Sequence, residues 1–270
     1  MTEHQIAIRR NYRIAMANEI IDDIAYNMTA QQLDVLDFFL KEIKPEDDIG
    51  TRYTVSIKEY CSINNIDYRA NSTNYNDILA SLRAFNNGLS KWVYNAEKHT
   101  ELLIYWFSMI EVDIKNHTIS YNIDNSIAPY LYGLTKKGNF TLHSYRQRKA
   151  LTSKYAKVLY QWLLRYYCVG IKNPTIPIEK IKVKLGATSY ERYADFDRFV
   201  IKKAIEQINM ATQLEVRYEP HPLTGKKKKT DITFFMKYGM EIMFQERMLR
   251  AANNSETFGE ETIDFHDLLE

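Results

Sequence analysis

"YADFDRFVIKKAIEQINMATQLEVRYEPHPLTGKKKKTDITFFMKY" (Tyr193 to Tyr238) contains three elements in order. Phe196, Phe199, Val200, Ala204, Ile205 and Ile208 recur at helical spacing and predict one helix face turned to a core. "QLEVRYE" and "TDITFFMKY" then read as two strands. Between them, "PHPLTGKKKK" offers Gly225 for a turn and four consecutive lysines, Lys226 to Lys229, at the tip of a hairpin.

Upstream, "LTSKYAKVLYQWLLRYY" predicts a helix with Tyr155, Val158, Leu159, Trp162, Leu163 and Tyr166 on one face, capped by Thr152 or Ser153. "PTIPIEKIKVKL" reads as a short strand entering a second helix. The same order occurs earlier in the chain. "MTAQQLDVLDFFLKEI" is a helix with Thr29 as N-cap, and Gln32, Val35, Leu36, Phe39, Leu40 and Ile43 follow its period. "RYTVSIKEYCSI" is the strand and next helix, with Thr54, Val55 and Ile57 lying 121 residues before Thr175, Ile176 and Ile178. "NYNDILASLRAFNNGL" is the long helix, in which Tyr75, Ile78 and Leu79 precede Phe196, Phe199 and Val200 by the same offset. Strands near "KWVYN", "ELLIYWFSMIEVDI" and "HTISYNI" close that half, with turns at 95–100 and 115–116. Helix, strand, helix, helix, hairpin, given twice, predicts an α+β protein of two tandem winged-helix domains. In such a unit the last helix enters the major groove of DNA. The run Leu102 to Phe107 is more apolar than one hairpin face requires, so it is expected to be buried on both faces or to meet another subunit.

The formal net charge of +2 conceals a strong asymmetry. Residues 1–135 carry a net −6, residues 136–250 a net +14, and residues 251–270 a net −6. A basic block of that size points to a polyanionic partner. The boundaries read from this pattern are 1–134 for the first domain, 135–250 for the basic second domain, and 251–270 for an acidic tail expected to be disordered. No apolar run reaches membrane-spanning length, the opening residues lack a signal-peptide core, and Cys61 and Cys168 lie far apart. A reduced, cytoplasmic protein is the expectation.

Chemistry-bearing motifs are few. The six histidines are scattered and none pairs at metal-ligand spacing. "PHPLTGKK" fails as a phosphate loop, because Pro220 stands where the first Gly belongs and Lys227 where Ser or Thr must meet magnesium. "YRQRK" places Tyr145 four residues before Lys149, a pattern that a DNA-nicking tyrosine could use. The histidine pair that would hold its metal is missing, so Tyr145 is read as a packing residue. No cofactor and no enzymatic activity are expected.

Binding residues are therefore sought on the long helices and the hairpin tips. Arg192 and Arg198 are candidate base readers, with Tyr193 beside them, since Arg bonds guanine bidentately. Lys202, Lys203, Lys182, Lys184, Lys226, Lys227, Lys228 and Lys229 are candidate phosphate contacts, together with Arg146, Arg148 and Lys149 near the linker. In the first half, Asn71, Asn74 and Arg83 are weaker candidates, because that half is acidic.

The ordered set "LTSKYAKVLYQWLLRYY", "IPIEKIKVKLG" and "SYERYADFDRFVIKKAIEQINMAT", then a strand, a Lys-rich turn and "ITFFMK", resembles the iteron-binding replication initiators of theta-replicating plasmids. "MTAQQLDVLDFFLKEI" is similar to that family's opening helix. The resemblance spans roughly residues 10–245 and is strongest over 150–236. It implies monomers that bind direct repeats at an origin and help to melt an adjacent AT-rich segment. It also implies dimers, joined through the first domain, that repress the initiator's own gene at an inverted repeat. Host initiator and helicase are the further partners it implies. Two other readings share parts of this pattern: a winged-helix repressor with no replication role, and a tyrosine nicking initiator.

Overall fold

The computed structural model describes residues 13–23, 28–44, 47–69, 73–83, 91–95, 100–134, 138–222 and 229–239. The first half runs β1 (Arg13–Ala17), α1 (Asn18–Asp23), α2 (Ala30–Leu40), β2 (Arg52–Ser56), α3 (Ile57–Ile63), α4 (Thr73–Arg83), β3 (Lys91–Asn95), β4 (Thr100–Ile104), β5 (Phe107–Asp113) and β6 (Thr118–Ile123). A 3₁₀ turn at Ala128–Tyr130 follows. The second half runs β7 (Phe140–Ser144), α5 (Tyr145–Ala150), α6 (Lys154–Cys168), β8 (Thr175–Pro177), α7 (Ile178–Leu185), a long helix α8, β9 (Leu214–Pro222) and β10 (Lys229–Tyr238). Helix α8 is continuous through Tyr193–Phe196, a π-helical turn at Asp197–Ile201, and Lys202–Ala211.

The two halves repeat one topology. Each has a three-stranded antiparallel sheet of equivalent order, β2-β6-β5 and β8-β10-β9. The equivalence reaches single side chains. Thr54 lies opposite Ser120 with their hydroxyls 2.9 Å apart, and Thr175 lies opposite Thr233 with theirs 2.7 Å apart. One residue along, Val55 pairs with Ile119 and Ile176 with Ile232, all four buried. Alternation places the hydroxyls outward and the β-branched carbons inward in both sheets.

Local signals set the helix ends. Thr29 accepts from the Gln32 amide while the Gln32 side chain accepts from the Thr29 amide, so α2 begins in a capping box. Ser153 caps α6 through the Tyr155 amide. Helices α2 and α6 are buried around nearly their whole circumference, beyond the single stripe that their period predicts. Phe39 stacks on Tyr121 at 4.3 Å between ring centres, and Tyr121 donates its hydroxyl to the Phe39 carbonyl at 2.7 Å. Trp162 is fully buried on α6. Large side chains of this kind each contribute about 1.5–3 kcal/mol on burial.

Two features lie outside the expected order. Each half opens with an additional strand and short helix, and these strands pair with each other. β1 runs antiparallel to β7, from Arg13 opposite Ser144 to Ala17 opposite Phe140. The pairing continues through Asn18, whose amide donates to the Asn139 carbonyl at 3.1 Å and whose side chain bonds Asn139 at 2.7 Å and Thr141 at 2.6 Å. Residues 13–17 of the first half are thus tied to residues 140–144 of the second. The apolar run 102–107 is also not one strand. β4 ends at Ile104 and β5 begins at Phe107, with Ile104 and Trp106 buried but Tyr105 46% exposed. β3 and β4 form their own two-stranded sheet. The run is apolar because it is a corner between two sheets, not because a strand is buried on both faces.

A buried ionic cluster lies where α2, α5 and α6 meet. Arg148 Nη1 donates to Asp37 Oδ1 at 2.6 Å, and both side chains are 1% exposed. Asp34 accepts from Lys157 at 2.6 Å and from Lys149 at 2.8 Å. Lys157 also donates to the Arg148 carbonyl at 2.8 Å, and His143 Nε2 lies 3.3 Å from Arg148 Nη1. Desolvation pushes the Asp37 carboxyl up to about 6, against the pull of Arg148 and Lys157. Desolvation, aided by Arg148, holds His143 well below its ordinary range.

Arg148→Met should cost ~3–5 kcal/mol in chemical denaturation, because it strands the Asp37 carboxylate. The double variant with Asp37→Leu should recover much of that. Losing the guanidinium raises the Asp37 pKa further above its unfolded value. The deficit of Arg148→Met is therefore full only above the variant's own raised Asp37 pKa and should shrink as pH falls from there toward about 6, below which the carboxyl is protonated with or without the guanidinium. A deficit that grows on acidification would contradict this assignment.

Candidate nucleic-acid interface

Helices α7 and α8 form the helix-turn-helix of the second half. Helix α7 ends at Gly186, whose φ of 60° and ψ of 42° are left-handed, a conformation that costs a residue with a Cβ about 1–2 kcal/mol. The Gly186 amide bonds the Val183 carbonyl and the Ala187 amide bonds that of Lys182, which redirects the chain toward α8. Helix α8 packs Phe196, Val200, Ile201, Ala204, Ile205 and Ile208 inward. Arg192, Arg198, Phe199, Lys202 and Lys203 are exposed.

The first turn of α8 is braced on β9. Asp197 accepts from Tyr193 at 3.2 Å and from Tyr218 at 2.8 Å. The Tyr193 hydroxyl, expected to stand beside the base readers, is thus spent on Asp197, and its ring is half-buried. Further along, the Asn209 side chain receives the Val216 amide at 2.7 Å and donates to its carbonyl at 2.9 Å, clamping the helix to the wing strand. Arg192 is 80% exposed, with Asp195 3.7 Å away, an exposed pair that contributes little to stability.

Several predicted phosphate contacts are turned away from solvent. Lys184 is 4% exposed and donates to the carbonyls of Ile21 and Asp22, the latter at 3.2 Å. It therefore meets the negative end of α1. Lys182 is 5% exposed, bonds Glu179 at 3.1 Å and lies 5.8 Å from the Phe196 ring. Arg148 is consumed by Asp37, and Lys149 by Asp34. The physical reason lies in the packing of their helices. Each is on a short helix packed against larger elements; Arg148, Lys149 and Lys184 satisfy an enclosed carboxylate or a helix end, whereas Lys182 is covered beside the Phe196 ring and reaches out to the exposed Glu179.

Other predicted residues divide three ways. Arg146 and Arg83 are exposed. Lys229 opens β10 and donates to the Pro220 carbonyl at 3.3 Å, beside a register shift that ends before Asp231. Asn74 belongs to α4, while Asn71, Lys226, Lys227, Lys228 and the acidic tail lie outside the described residues. Tyr145 is 1% exposed and donates to Asn64 Oδ1 at 2.8 Å, and burial holds its phenol protonated. The packing reading of Tyr145 stands. Among the described residues, no group of His, Cys, Asp or Glu could hold a metal, and no helix is long and apolar enough to cross a membrane.

Sequence spacing missed Phe199. The helical period puts it on the core face, yet it is 41% exposed beside Arg198 and Lys203. The π-helical turn is the cause, since its wider winding shifts Phe199 out of the inward stripe.

Two units, each a helix-turn-helix closed by a β-hairpin, define the protein as a tandem winged-helix protein. Residues 13–164 match the family described as initiator replication protein, WH1, and residues 177–236 match the initiator Rep protein, WH2. The chain belongs to this replication initiator family. Its fold is similar to that in the crystal structure of the Pi initiator protein in complex with iteron DNA, with a TM-score of 0.67 at 18% identity. That likeness covers 84% of this chain and 98% of the other. No curated protein matches the chain.

Tyr145→Phe removes the bond to Asn64 and should lower stability by ~0.5–1.5 kcal/mol. It should leave supercoiled origin DNA uncut and free of covalent protein, as with the parent chain. A 5′-phosphotyrosine adduct formed by the parent and lost in the variant would reinstate a nicking role.

Proposed function

We propose that this chain initiates plasmid replication by binding directly repeated double-stranded DNA at its origin, with α8 in the major groove. The observation that carries the proposal is the outer face of α8. Arg192, Arg198, Lys202 and Lys203 stand exposed on a helix whose other side is fully packed, while other basic residues nearby are buried in ion pairs. The basic residues divide into those that hold the fold and those left for a ligand. Membership of the initiator family and the likeness to a fold solved with iteron DNA support the same reading.

In this reading Arg192 and Arg198 read base edges near the start of the helix. Lys202 and Lys203, one turn on, meet phosphates, as do Arg146 and the wing lysines Lys226 to Lys229. In the first half, Arg83 with Asn71 and Asn74 would make a second, weaker contact. The two winged helices, held by β1–β7 and the ionic cluster, would engage one repeat as a unit. Domain limits of 1–134 and 135–250, repression by a dimer joined through the first half, and contacts to host initiator and helicase belong to the same proposal. The protein acts by binding, without a catalytic centre of its own.

Footprinting on DNA flanking the gene should show protection repeating at multiples of ~10 bp on one face of the duplex. Arg198→Ala should cost ~1–3 kcal/mol on the protected repeat and little on random DNA. Equal losses on both would remove Arg198 as a reader. Lys202→Ala and Lys203→Ala should each weaken both DNAs and reduce the salt slope by about one. A salt slope unchanged by both would place those lysines away from phosphate.

A further inference from the structure

We infer that Phe199 is a specificity determinant, reading the C5-methyl group of a thymine in the repeat; this rests on the DNA-binding role proposed for α8. Phe199 is a large apolar side chain on an otherwise charged helix face. The ring is 41% exposed, although its neighbours in sequence phase, Phe196 and Val200, are fully buried. Its exposure follows from the π-helical turn Asp197–Ile201 inside an otherwise α-helical element. Such single-turn insertions occur frequently at functional sites.

The surroundings specify the ligand. Phe199 forms one wall of an open cleft with Ser189, Tyr190, Glu191, Arg192 and Asp195, at the start of the helix expected to enter the groove. The Arg198 guanidinium lies 5.2 Å from the ring centre and the Lys203 ammonium 5.5 Å from it. Both are within cation–π range, so the ring is accompanied by two cations that also suit a phosphate-lined groove. A ligand that brings an apolar group close to negative charge matches this set. In the major groove, the thymine methyl is the apolar group on a base edge, and Phe is among the side chains that contact it. Arg192, on the same cleft, can bond a guanine at an adjoining step.

The test uses the full chain and the repeat that it protects in footprinting, with each thymine in turn replaced by deoxyuridine, which deletes only the methyl. Parent protein should lose roughly fourfold in affinity at one or two positions, the scale for one buried carbon. Phe199→Ala should bind the all-thymine repeat more weakly and show no further loss at those positions. Phe199→Leu should retain part of the discrimination. Because the ring is exposed, unchanged thermal melting of both variants is expected and serves as the folding control. The inference is overturned if deoxyuridine costs the same in parent and Phe199→Ala, or if the variant weakens random DNA as much as the repeat. If the parent protects no repeat at all, the DNA-binding proposal falls and Phe199 with it. Protection without Phe199-dependent methyl sensing removes Phe199 alone.

Discussion

The molecule depends on a charge problem solved between its halves. Asp34 and Asp37 lie on α2, a helix so enclosed that the Asp37 carboxylate is sealed from water and that of Asp34 is largely covered. Ionised carboxylates are tolerated there only with cations at bonding distance, and every one of those cations comes from the second half: Arg148, Lys149 and Lys157. Neither half can bury its own side of this cluster without the other. The β1–β7 pairing and the Asn18–Asn139–Thr141 bonds complete the same junction with backbone and amide groups.

That junction also sorts the basic residues. The second half is strongly cationic in sequence, but its basic residues divide into two groups. Arg148, Lys157, Lys182 and Lys184 face inward, onto carboxylates or the carbonyl end of α1. Arg192, Arg198, Lys202 and Lys203 face outward on α8. The outward set is smaller than the net charge suggests but is gathered on one helix. Concentration on a single groove-sized element matters more for recognition than total charge, since base contacts need geometry and only the background affinity needs charge.

Helix α8 is held at both ends. Gly186 sets its entry angle, Asp197 ties its first turn to Tyr218 of the wing, and Asn209 ties its last turn to Val216. Rigid placement of this kind is what the base-reading role proposed for Arg198 requires.

Much of the architecture was legible from local sequence. Thr29 with Gln32 announces a capping box, Thr54-Val55 and Thr175-Ile176 announce equivalent strands, and the helical periods of α2, α6 and α8 are plain. These signals depend on residues close together along the chain. Three things were decided only in three dimensions. β1 and β7 find each other across more than a hundred residues, and neither strand alone carries a distinctive pattern. Arg148, Lys149, Lys182 and Lys184 look in sequence like any surface cation, because whether a charge is buried depends on which carboxylate or helix end packs against it. Phe199 follows the helical period of the core, and one wider turn of backbone brings it to the surface. Periodicity determines which residues share a helix face only while the winding stays regular; long-range packing and a local change of winding determine the rest.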